Sequence, residues 1–159
     1  TANGAYRATF LGLSNSDIIT NIFGALSELS KGELSGERMF VAVDSKDQEN
    51  EHSCFADNTI VDIKQNFQGL VNVYTGTYSR TNGAVVSGES YQDIAADLDA
   101  TKAQAVDNAI SVARLKINTI PSPFDQAILN SSEVVLEAVT ALEDLSDAFA
   151  DVAVDLGAQ

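Results

Sequence analysis

Only two prolines occur in this 159-residue chain, and both fall within one stretch, IPSPF at 120–124. Proline removes a backbone donor and clashes with the preceding helical turn, so a chain free of it elsewhere is open to long helices. The apolar residues use that freedom. Ile60, Ile63, Phe67, Leu70, Tyr74 and Tyr78 recur at intervals of three and four, with Asp62, Lys64, Gln65, Gln68 and Asn72 on the opposite face. This predicts an amphipathic helix of about five turns beginning at Thr59. Leu11, Ile18, Ile19, Ile22, Phe23, Leu26 and Leu29 form a similar stripe near the N-terminus. Gly32 is expected to end that helix, with ELSGERMFVAV as a short second one. An alanine-rich helix is expected over residues 90–120. After IPSPF, a last helix should run from near Asp125 to Leu156 on Ile128, Val135, Val139, Leu142, Leu145, Phe149, Val152 and Leu156. The turn-rich SRTNGAVVSGES at 79–90 has room for a short hairpin.

Each helix has a single apolar stripe to bury, and strand-like alternation is nowhere sustained. The fold class is therefore all-α: an antiparallel helical bundle of about four long helices plus a short one, spanning residues 1–159 as a single domain.

Charge narrows the partners. Nine Lys and Arg stand against 23 Asp and Glu, a net charge of −14. Such a chain repels phosphate backbones, which argues against nucleic acid, and anionic membrane surfaces repel it as well. Cationic ligands, metal ions among them, stay open. The single Cys54 forbids an internal disulfide, and no apolar run approaches the ~20 residues of a spanning helix. TANGAYRATFLGL begins without Met and already in a helical pattern. That looks like a mature or truncated start, which leaves export open.

Residues 49–59, ENEHSCFADNT, hold the only histidine, His52, and the only cysteine. The structural reading takes Thr59 and Asp62 as a capping box, with Asp57 and Asn58 as further N-cap candidates. The functional reading uses the same atoms as ligands. Glu49, Glu51, His52, Asp57 and Asp62 offer one imidazole and several carboxylates, a donor set suited to iron, manganese or zinc. Cys54 beside Phe55 reads as a small packed hydrophobe. Residues two apart on a helix point to different sides, which disfavours a Cys54–His52 dyad. HExxH needs two histidines and is not available, and GxSxG, P-loop and GxGxxG motifs do not occur. In GELSGER, Arg38 is placed to pair with a carboxylate such as Asp57, or with a ligand; the alternative is a surface ion pair. Glu133, Glu137, Asp144, Asp147, Asp151 and Asp155 on the last helix read as a solvated face.

Taken together, ELSGERMFVAVDSKDQENEHSCFADNTIVDIKQNFQGLVNVYTGTY at 33–78 and IPSPFDQAI at 120–128 closely resemble the imelysin-like family of bacteria. The resemblance implies a fold of two bundle-like halves, of which this chain looks like the C-terminal one. The family's GxHxxE motif lies in the N-terminal half and is not in this chain. That half is therefore an expected partner. Export is implied too, as a periplasmic or outer-membrane lipoprotein anchored outside this chain. Members are classed as metallopeptidases, and many look like iron-regulated proteins of iron uptake. Activity as an enzyme is thus left open between a metallopeptidase, an iron-uptake protein and a non-catalytic partner-binding bundle.

Carried over residue by residue, the site comprises Arg38, Glu51, Ser53, Asp57, Asn58 and Thr59 as ligand-binding groups, with His52 and Glu51 as ligands to a metal, iron or zinc. Two positions depart from the family pattern: Ile60 stands where many members have histidine, and Ala56 replaces a common serine.

Overall fold

The computed structural model describes residues 4–158. Helices α1 (Ala5–Leu11) and α2 (Asn15–Ser27) are separated at Gly12–Ser14, so the N-terminal apolar stripe is split between two elements. Ser14 caps α2 by accepting the Asp17 N–H at 3.1 Å, which satisfies an amide that the first turn leaves free.

The expected stop at Gly32 does not occur. From Glu28 to Phe40 the chain continues as a π-helix and then enters α3 (Val41–Ser45). Its buried residues are Ser30, Leu34, Ser35 and Met39. Their spacing follows the wider π turn, in which hydrogen bonds reach back five residues, rather than the 3.6-residue turn assumed above. The hydroxyls of Ser30 and Ser35 donate to the carbonyls of Leu26 and Lys31, each at 3.0 Å, which lets both be buried.

Helix α4 (Thr59–Thr75) begins where the periodicity places it. It ends at Gly76, and an exposed antiparallel hairpin follows, β1 (Thr77–Ser79) with β2 (Val85–Ser87). The 90–120 segment divides into α5 (Tyr91–Leu98) and α6 (Ala100–Thr119), because the Asp99 carboxylate caps α6 at the N–H groups of Thr101 and Lys102. IPSPF breaks the chain as expected. It leads into a short α7 (Phe124–Asn130) and then α8 (Ser132–Asp155), which is separate from α7 rather than continuous with it.

Helix α8 is the axis of the bundle. It packs along α6, the π-helical stretch and α2, while α4 closes the other side against the π stretch, α5 and α6. Phe149 sits at the centre, edge-on to Phe23 at 6.1 Å and to Tyr74 at 5.5 Å, a favoured aromatic geometry. The acidic face of α8 is exposed, and Lys31, Lys116 and Lys102 pair with Asp147, Glu137 and Asp155 along it. Among the described residues no helix is long and apolar enough to cross a membrane.

Candidate functional site

The sequence between α3 and α4 folds as a polar elbow. Lys46 leaves α3 in the left-handed region at φ 54°. Two single 3₁₀ turns follow, Gln48–Asn50 and Cys54–Ala56. The Asp47 carboxylate fixes the first by accepting the Glu49 N–H at 2.9 Å. Asp57 then turns the chain into α4 at φ 50°, a conformation that aspartate tolerates better than most residues.

The capping box expected of Thr59 and Asp62 is not formed. Asn58, not Thr59, is the N-cap, and its side chain caps nothing. Thr59 is 1% exposed, and its hydroxyl oxygen accepts the Ser53 N–H at 3.2 Å. Asp62 gathers the elbow instead. Its carboxylate accepts from the Ser53 hydroxyl and, at 3.0 Å, from Asn58 Nδ2. Ser53, Asn58 and Thr59, expected as ligand-binding groups, thus come together as a brace between the elbow and the first turns of α4.

Glu51 lies behind that brace. It is only 6% exposed, and its Oε1 is buried with no hydrogen-bond partner. Burial pushes its carboxyl above the ordinary value of 4.5; the Thr59 hydroxyl works the other way by hydrogen bonding, and the negative charges of Asp125 and Asp57 add to the rise. Burial disfavours the charged form, and like charges nearby disfavour it further. Asp125 was not singled out in the sequence. It opens α7 in PFDQAI, where its carboxylate accepts the Gln126 N–H at 2.7 Å. The charge of Asp125, at the IPSPF corner, thereby acts on Glu51; that stretch reads in the sequence as a helix break and as part of the family resemblance, not as a source of a site residue.

The remaining site residues separate. His52 is exposed. Cys54 is free and half-buried, and Phe55 beside it is 96% exposed, so the pair is not packed as a hydrophobic unit. Arg38 pairs through Nη2 with Glu33 at 3.2 Å, not with Asp57. The reason is the π winding, which brings residues five apart onto one face. Ile60, which stands where the resembled family often has histidine, is 7% exposed within the hydrophobic core; in this chain position 60 is a packing position. Among the described residues no group of three or more His, Cys, Asp or Glu side chains comes together as a metal cage.

A curated protein of Synechococcus elongatus named iron-regulated protein A is 26% identical over 139 residues, which is 86% of this chain and 36% of that protein. The chain thus spans about a third of the length of the relative it matches. The profile of the family described as Imelysin (Peptidase M75) matches residues 1–150, a span that carries the elbow and the IPSPF corner alike, and the chain belongs to the imelysin family.

Proposed function

We propose that this chain is one lobe of an exported bacterial iron-uptake protein, and that the elbow is its share of a site for a metal or a metal-bearing ligand. The site is completed by groups of the longer protein outside this chain. One observation supports the reading above others: a carboxylate that is 94% buried keeps an oxygen without a partner, beside two further acids. Burying an unpaired carboxylate is costly, so the elbow is built for a positive group. His52 would be the direct nitrogen ligand, iron or zinc the ion, and Glu51 the oxygen ligand or the acid that orients the site. The name of the Synechococcus relative supports an iron-related role. Export, to the periplasm or the outer membrane through an anchor outside this chain, is part of the same proposal. Calorimetric titration of the longer protein with iron and with zinc tests it: His52→Ala should weaken binding by roughly tenfold or more, and unchanged affinity would remove His52 from the site.

A partner-binding role without a metal is the second reading, favoured because the described residues assemble no cage of three ligands. A peptidase of the imelysin type would likewise need its metal ligands from elsewhere in the longer protein.

A further inference from the structure

We infer that the open groove between α2, α5 and the end of α8 is a docking surface for α1 of the same chain, which closes over it on a hinge at Gly12–Ser14. The inference stands apart from the elbow and from any metal.

Helix α1 is seven residues long, has no side-chain cap and buries none of its residues. A helix so short is not stable in water by itself; helices in proteins draw their stability from packing an apolar face. α1 carries such a face. Tyr6 and Phe10, with Leu13 just beyond the helix, follow at intervals of four and three, which puts them on one side. Yet Tyr6 is 84% exposed and Phe10 takes no part in the core.

An uncovered apolar surface lies at the hinge itself. Asn15 and Ile18 of α2, Tyr91, Ile94 and Leu98 of α5, and Leu156 line an open groove of about 420 Å³. Ile94 and Leu98 are exposed along it. The dimensions agree, because Tyr6 to Leu13 and Tyr91 to Leu98 are matching steps along the chain, each about 10 Å of helix. The floor of the groove is fixed: the Ser16 hydroxyl donates to the Gly157 carbonyl and pins the first turn of α2 to the end of α8. The connection at Gly12–Ser14 has the length that joins antiparallel helices. Folded back there, α1 lies along α2 with Phe10 beside its first turns.

Charge selects the occupant. Arg7 is the one charged residue of α1, and Asp97 stands on the groove's rim between Ile94 and Leu98 of α5. None of the ion pairs among the described residues uses either. A second copy of the chain would bring a net charge of −14 against the same charge, which opposes association. The chain's own α1 instead arrives at the high effective concentration that a short linker gives.

The test is cysteine crosslinking in the longer protein, with Cys54→Ser to remove the native thiol of this chain. Phe10→Cys together with Leu98→Cys should form a disulfide within one chain under mild oxidation, read by non-reducing peptide mapping, because docking brings the two Cβ atoms to about 4 Å. No crosslink, or a crosslink only between two chains, overturns the inference. So does equal crosslinking of Phe10→Cys to Leu115→Cys, which lies on α6 outside the groove, since α1 would then have no preferred seat. Amide hydrogen exchange over residues 5–11 gives a second reading without disulfides. Ile94→Glu with Leu98→Glu should speed that exchange about tenfold or more by undocking α1, and an unchanged rate overturns the inference.

Discussion

At the scale of a residue, position 51 has the sharpest consequences, because a carboxylate there exchanges water for almost nothing on one oxygen. In the 159-residue chain by itself, Glu51→Gln should raise Tm at neutral pH by about 2–4 °C, the equivalent of about 1 kcal/mol. The pH dependence follows from the same group. Its folded-state pKa is raised above 4.5, so the native state holds the proton more tightly than the unfolded state does. Stability contributed by Glu51 is therefore greatest below about 4.5 and falls as pH rises through the raised pKa. Wild-type minus Glu51→Gln stability, measured by urea unfolding across that window, should decline with increasing pH; a difference that grows would contradict the assignment. ENEHSCFADNT was legible as a polar elbow by its composition, with Ser53, Asn58 and Thr59 among its bonded residues. What could not be read was the wiring. Asp62 accepts from two side chains across the elbow, one of them nine residues away, and that geometry exists only once Asp57 turns left-handed.

At the scale of an element, Gly76 carries the clearest prediction. It caps α4 at φ +59°, and a Cβ there would lie 2.9 Å from Ser90 Cβ and 3.0 Å from the Gly88 carbonyl. Gly76→Ala should cost upwards of ~1 kcal/mol, from the left-handed backbone alone and more from crowding. A drop in urea midpoint with unchanged m-value would register it, and an unchanged midpoint would show that the hairpin yields freely. The start near residue 90 was legible and is secured by a Ser90–Asp93 capping box, whereas the capping box read at Thr59 and Asp62 does not form. The π-helical stretch was not, because a search at 3.6 residues per turn skips a different period. Leu29, Leu34 and Met39 do repeat every five residues, yet nothing local makes that repeat outweigh two glycines. Packing of this stretch against α8 and α4 does.

At the scale of the whole molecule, the bundle closes around Phe149, which is fully buried on α8 and meets aromatic rings from α2 and α4. Phe149→Ala should destabilise by roughly 3–5 kcal/mol, read as a large loss of Tm with helical circular dichroism collapsing in the same transition. A separate, earlier loss of one helix would mean that the aromatic cluster is not shared. The sequence by itself determined that the protein is helical, where most apolar stripes lie, and which motifs mark its family; those properties follow from local periodicity and residue identity. Tertiary structure alone decided that IPSPF brings Asp125 to Glu51, that Arg38 turns to Glu33, and that one carboxylate oxygen is sealed from water without a partner. Each of these depends on which distant segments share a space, and hydrophobic burial selects that arrangement for the core, with the polar elbow carried along.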